Sequence, residues 1–578
     1  MTRTDSFVVG TLVVLLAIIA GIVSVPTLLP SAAASHTPSG TPVIAEIRAY
    51  REGVLGHPVS VSPFSARTQA DRDLVALVFA GLVRNGPSGS VVPDLADRWS
   101  VDETGSVWTF ELREDATWHD GRPVTAEDVA FTIGTLQDPG YEGPGAMSWN
   151  GVTVDTDGPR TVTFTLETPL GGFLQAATQP IAPAHLLAGI PVEVLADQPF
   201  ARLPVGSGPF AIERLDESSA RLVPASLLPP TVAPSAGASP HATDSLASPA
   251  PTDRPTKPTP YVAAIEFSYF DDPDALAEAY REGGLDAASG LSPVLTRDLG
   301  EAGDSRTVDY PGATLTTVLL NLRPGYPAFA DAAVRRALWQ AIDRPGLIKD
   351  VFGGAAGPAA NLIPPSSWLF DSSASRLLAY DRGAAIAALK KAGWKREGDG
   401  WHLPDAKDPL EIELISTDED SNPTAFATAA SVVRSWQAMG LDVSHVALPP
   451  SEFVKDRLAT GTFNAAVADM TIGLDPDLYP LLASSQTLSG GSNILGLQDP
   501  KLDELLEAAR APGTDEARTK AYAALQEALA AGRYLLPLAY ANESIVVRDT
   551  VEGPSVRQVA DPADRFWDVL TWRLAAGR

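Results

Sequence analysis

Apolar and polar residues alternate with a period of two from Val107 to Arg113, VWTFELR, so that Trp108, Phe110 and Leu112 share one face while Thr109, Glu111 and Arg113 share the other. Successive side chains of a strand point to opposite faces, and the pattern predicts a half-buried β-strand. Thr161 to Leu166, TVTFTL, repeats it with Val162, Phe164 and Leu166 inward. The preceding VDTDGPR, Val154 to Arg160, supplies a hairpin turn; its DxDG lacks the downstream Glu that a calcium loop needs.

Elsewhere the period is helical. In PVTAEDVAFTIGTL, Thr125 is placed to cap a helix with Asp128 at the third position, and Val124 and Val129 stand at the spacing of a hydrophobic staple. From Asp331, DAAVRRALWQAID puts Val334, Ala337, Leu338, Ala341 and Ile342 on one stripe, with Pro345 read as its stop. Leu502, Leu505, Leu506 and Ala509 repeat the stripe, and a further Ala/Leu-rich helix is predicted from about Asp515 to Gly532. Strands and helices intermingle along the chain, which predicts an α/β protein.

Two segments stand apart. Phe7 to Val25 is apolar apart from Thr11 and Ser24, with no charged side chain between Asp5 and Glu46. As a helix it would reach roughly 28 Å, near the hydrocarbon thickness of a bilayer, whereas the apolar part of a secretory signal is about 7 to 15 residues. The expectation is an N-terminal transmembrane helix within residues 1–30. It would be a single-pass anchor in the cell membrane with an extracytoplasmic body, joined by a tether at 31–44. The alternative is a signal cleaved near the small residues of Ser31 to Ser35, giving a secreted or periplasmic protein. The second segment, Pro224 to Pro260, is dominated by Pro, Ala, Ser and Thr and holds too little apolar surface to offset ordering entropy. It is read as a disordered insertion.

Composition narrows the function. A chain of 578 residues exceeds what one core usually organises, so two or three domains are expected. With 43 Lys and Arg against 71 Asp and Glu, the net charge of -28 repels a phosphate backbone, and no nucleic-acid partner is expected. The absence of cysteine removes disulfides, thiolate sites and thioether lipid attachment. The seven histidines are dispersed with no HExxH, so neither a metal nor another cofactor is expected. No GxSxG elbow or zinc-ligand pair marks an enzyme.

The run from Val91 to Ile133, VVPDLADRWSVDETGSVWTFELREDATWHDGRPVTAEDVAFTI, resembles the family 5 extracellular solute-binding proteins of peptide and nickel ABC importers. VGSGPF at Val205 to Phe210, AVRRALWQAIDR at Ala333 to Arg344, AGWKREGDGW at Ala392 to Trp401 and the region Gly461 to Tyr479 resemble further family landmarks in the expected order. The resemblance implies a two-lobe periplasmic-binding-protein-like fold of type II with an additional middle subdomain. The first lobe would comprise 45–88, 204–290 and a return at 530–578, the middle subdomain 89–203 and the second lobe 291–529. It implies the extracytoplasmic solute-binding component of an ABC importer, monomeric and not an enzyme, that captures a small solute, an oligopeptide or peptide-like molecule, and delivers it to permease subunits in the membrane. A membrane-tethered sensor of the same fold, a binder of oligosaccharide or of a nickel complex and, last, an exported hydrolase are the alternatives.

Two departures bear on the site. Relatives are often held by lipid on an N-terminal cysteine, which is missing here. Peptide binders of the family place an aspartate near a sheet end in an ADY-type stretch; here the stretch reads MTIGLDPD, Met470 to Asp477, and Asp475 is the residue the resemblance assigns, either to the cleft or as a cap of the next turn. In GPAANLIPPSSW, Asn361 and Trp368 occupy a region that approaches the ligand in the family, with core packing the other reading for Trp368. Gly206, Ser207 and Gly208 are assigned to an interlobe crossing or a tight turn. His119, in WHDG, is read as structural.

Overall fold

The computed structural model describes residues 48–86, 91–228, 262–365, 367–398, 400–487 and 491–575. The apolar run Phe7–Val25 and the tether lie outside them, as does most of the Pro-rich insertion, of which Pro224 ends a strand and Ala225–Leu227 form a 3-10 turn. Among the described residues no helix is long and apolar enough to cross a membrane.

Strand β1 (Tyr50–Leu55) and helix α1 (Gln69–Val78) open the first lobe. A middle sheet follows, made of β2 (Ala96–Val101), β3 (Val107–Leu112), β4 (Val152–Asp157) and β5 (Thr161–Leu166) in the order β2-β3-β5-β4. Trp108, Phe110 and Leu112 of β3 and Val162, Phe164 and Leu166 of β5 are buried, as the alternation requires. Against this sheet packs α2 (Ala126–Leu136), whose start carries the expected capping box of Thr125 and Asp128, with Val124 and Val129 both buried. The first lobe resumes with β6 (Phe210–Leu215), β7 (Ser219–Pro224), β8 (Ile265–Phe270), α3 (Pro273–Arg281), β9 (Ala287–Ser289) and α4 (Pro293–Gly300).

A 16-residue strand, β10 (Ser305–Leu320), then leads into the second lobe. That lobe holds α5 (Ala332–Gln340), β11 (Glu411–Thr417), α6 (Pro423–Gln437), β12 (Asp442–Leu448), β13 (Ala465–Thr471), α7 (Pro500–Arg510) and α8 (Asp515–Gly532). The 14-residue β14 (Leu535–Arg548) leads back. These two long strands pair antiparallel from Ser305 with Arg548 to Leu319 with Leu535, and their register shifts between Pro311 and Leu315. The main sheet is therefore continuous, in the order β12-β11-β13-β10-β14-β9-β1-β8-β7-β6, with Ala356–Pro358 added beside β14.

Packing separates two lobes along that sheet. One apolar core runs unbroken from Tyr50, Val54 and Phe267 to Phe110 and Phe164 of the middle sheet, so the middle part belongs with the first lobe. In the second lobe β10 is buried on both faces: Val318 and Leu320 pack with Leu338, Trp339 and Trp436, while Leu315 and Leu319 pack with Ile415, Leu506 and Leu529. Leu291 and Leu299 pack with Leu276 and Tyr280 on the first lobe, and the chain crosses between lobes near Pro311–Thr314 and Tyr540–Asn542.

One helix differs from its reading. The stripe from Val334 to Ile342 is buried throughout, but α5 ends at Gln340, and Pro345 stands in the first turn of a new helix, Arg344–Asp350, capped by Asp343. Proline lacks only an N–H that a first helical turn leaves unused, so it starts this helix rather than stopping the previous one.

Candidate functional site

Where β11 and β13 run parallel, their carboxyl ends and the amino end of α6 meet beside β10, close to the crossing between lobes. Ligand sites in open α/β sheets form outside such strand ends, because the chain there leaves polar groups unclaimed by the ladder. Asp469, near the end of β13, accepts a hydrogen bond from Thr316 Oγ1 at 2.6 Å through Oδ1 and from Asn422 Nδ2 at 3.0 Å through Oδ2. Asn422 also caps α6, its Oδ1 accepting from Ala425 N at 2.9 Å. Two oriented partners hold the carboxylate without neutralising it. A depression of about 280 Å³ adjoins it, lined by Thr417, Phe453, Met470 and Ile494 among others. On the first-lobe side of the crossing, β14 presents Glu543, which pairs across the ladder with Tyr310. Burial pushes its carboxyl above the usual carboxylate range and nearby Asp561 adds to that, while Arg565 and Arg72 pull the other way.

The residues singled out from sequence fall in three places. Asp475 makes a bidentate ion pair with Arg518 of α8, at 2.7 and 2.5 Å, with side chains only 13% and 7% exposed. Burial alone would lower the Arg518 pKa; the hydrogen bond and charge of Asp475 more than offset it. Trp368 joins this group, its ring 5.3 Å from the Arg518 guanidinium carbon. Asn361 is buried and ties its loop to α8, donating to Gln526 O at 3.3 Å and accepting from Leu362 N at 2.7 Å.

Gly206, Ser207 and Gly208 lie against the end of α1. A Cβ on Gly206 would stand 1.9 Å from Val78 O, and one on Gly208 2.6 Å from Val78 C, so both positions require glycine. Ser207 Oγ accepts from Ala80 N at 3.2 Å. His119 pins the same loop: Gly206 N donates to Nδ1 at 3.2 Å, which puts the ring proton on Nε2, 3.0 Å from Gly208 O. His119→Phe is expected to lose both ring bonds and about 1 to 3 kcal/mol of stability in urea unfolding. Unchanged stability with impaired solute binding would instead place the imidazole in a ligand site.

The pair of Asp475 and Arg518 also marks a contact between the middle part and the second lobe. Gly171 N donates to Arg510 O at 3.0 Å. A Cβ on Gly171 would meet Arg518 Nε at 2.8 Å, and one on Gly172 would meet Asp475 Oδ1 at 3.2 Å. Glycine lets the loop after β5 close directly onto the ion pair.

Sequence reading missed Asp469, Asn422, Thr316 and Glu543. A signal for two of them was present: Asp469 interrupts the apolar run AAVADMT, and Asn422 precedes Pro423 as a helix start would require. For Thr316 and Glu543 nothing local was available, since their placement follows from which strands cross.

A sequence profile described as "Bacterial extracellular solute-binding proteins, family 5 Middle" matches residues 90–492. The chain is 27% identical over 508 residues to Protein XP55 of Streptomyces lividans, covering 87% of this chain and 85% of that one. To the oligopeptide-binding protein AppA of Bacillus subtilis it is 22% identical over 530 residues, covering 90% and 91%. In fold it is similar to NikZ from Campylobacter jejuni, crystallised with Ni(L-His), at a TM-score of 0.69 and 23% identity, covering 91% of this chain and 99% of that one.

Proposed function

The chain belongs to the bacterial extracellular solute-binding proteins of family 5, and from that premise we propose that it captures peptides or peptide-like solutes outside the cytoplasm and delivers them to the permease of an ABC importer. The observation that carries this reading is the pair of crossing strands, β10 and β14, which join two separately packed lobes beside a cluster of strand-end polar groups. Two chain crossings form a hinge, and closure about a hinge buries a solute between lobes. An extended peptide offers backbone donors and acceptors at regular intervals, which such groups can pair while side chains remain hydrated.

We place the middle subdomain and first lobe on one side of the cleft and the second lobe on the other, with the boundary at the crossing near Pro311–Thr314 rather than at 291. The anchor for a ligand ammonium group in this reading is Asp469, because Asp475 already serves Arg518. The apolar run Phe7–Val25 would hold the body at the outer face of the membrane.

A peptide present at about 100 times its dissociation constant is expected to stabilise the protein by roughly 2.7 kcal/mol, visible as a raised melting temperature across a library of short peptides. Acetylating the amino terminus and Asp469→Asn should each weaken binding, and together cost less than their sum, since both remove one interaction. Stabilisation by a sugar or a metal chelate with none by any peptide would reject the peptide class.

A further inference from the structure

At the end of the first lobe opposite the strand ends that face the crossing, a depression of about 610 Å³ is lined by Arg48, Arg51, Arg281 and Arg548 with Asp286 and Asp304. Four guanidinium groups line it against two carboxylates, with Glu278 beside Arg281 as a third, which leaves a surplus of one positive charge in a molecule whose net charge is -28. A locally positive lining in an acidic protein favours an anion.

The guanidiniums are positioned but not used up. Asp286, only 4% exposed, receives Arg48 Nη1 at 2.9 Å, Arg51 N at 3.0 Å and Arg51 Nε at 3.3 Å through a single oxygen, Oδ2. That leaves Arg48 Nη2 and both terminal nitrogens of Arg51 without a partner among the described residues. Among the described residues Arg281 pairs only with Glu278, at 3.5 Å, through Nη1. Arg548, stacked 4.2 Å over the Tyr280 ring and paired with Asp304 at 2.6 Å, forms the rigid wall. Forked donors held at fixed spacing match the oxygens of a phosphate, and the volume exceeds what a bare ion needs.

We infer that this depression is a second binding site, separate from the cleft, for a phosphate ester of about the size of glycerol phosphate. The same chemistry could come from a soluble phosphoester or from the headgroup of an anionic phospholipid. The inference does not rest on the solute proposed for the cleft.

The test is chemical modification of arginine by phenylglyoxal in the full-length protein, read residue by residue by mass spectrometry. With sn-glycerol 3-phosphate added in detergent, Arg48, Arg51 and Arg281 are expected to react at least about fivefold more slowly, while the exposed Arg98 and Arg214 keep their rates; this identifies a soluble ester as sufficient. With the protein reconstituted in phosphatidylcholine vesicles, protection that appears only when phosphatidylglycerol is included identifies the headgroup. The double change Arg51→Gln and Arg281→Gln should abolish protection of Arg48 and leave melting temperature and cleft-ligand binding unchanged. Absence of protection in both arms, equal protection of Arg98, or protection of Arg48 that survives the double change would each overturn the site.

Discussion

Asp475→Ala is expected to cost about 3 to 5 kcal/mol of folding free energy, measured by urea unfolding followed by tryptophan fluorescence, because it strands the Arg518 guanidinium in a site 7% exposed. The carboxylate holds both terminal nitrogens of Arg518 beneath Trp368, and nothing else of opposite charge pairs with that guanidinium among the described residues. Asp475→Leu combined with Arg518→Leu should recover most of the loss, since apolar side chains of similar volume replace a desolvated ion pair at little cost. Gly172 rests on the same carboxylate, so Asp475→Ala should also loosen the contact between the middle part and the second lobe, seen as faster hydrogen exchange at residues 170–173. If Asp475 faced the solute instead, the alanine variant would keep its stability to within 1 kcal/mol and lose affinity.

The second large effect is expected at Arg565. Its guanidinium donates to Glu52 Oε1 at 2.8 Å and to both oxygens of Asp73, and all three side chains are at most 3% exposed. It joins the C-terminal helix Pro562–Thr571 to β1 and α1 of the first lobe. Arg565→Leu leaves two carboxylates buried without a cation and should destabilise by about 3 to 5 kcal/mol. The pH dependence has a definite sign. Burial raises the Asp73 pKa in the folded protein, and Arg565 is the main group opposing that rise. A carboxyl whose folded pKa is raised detracts from stability at neutral pH, and the penalty fades as pH falls through that pKa. Removing Arg565 enlarges the penalty, so the stability gap between the variant and the parent should be widest near pH 7.5 and narrow towards pH 5. A gap that is constant over this range would mean that the carboxyl keeps its charge by another route.

Both effects were invisible along the chain for one reason. Asp475 and Arg518 are 43 positions apart, and Arg565 is separated from Asp73 and Glu52 by 492 and 513. No periodicity carries information over such a distance. Within a single element the position is reversed: the hairpin of β4 and β5, the Thr125 cap and the span of α8 were legible because their causes act over two to five residues. Pro345 shows the limit of that locality, since the same residue stops one helix or starts another according to whether Asp343 is free to cap.

By itself, the sequence determined the alternating and helical elements, the α/β class and, through ordered landmarks, the family, all of which depend on neighbouring residues or on runs short enough to read directly. Only the tertiary structure decided that β10 and β14 run through both lobes, that Asp475 is paired with Arg518 while Asp469 stands at the strand ends, and that four arginines from three distant segments share one depression. Charge pairing and strand order are settled by which surfaces meet when the apolar faces are buried, and that choice involves the whole chain at once.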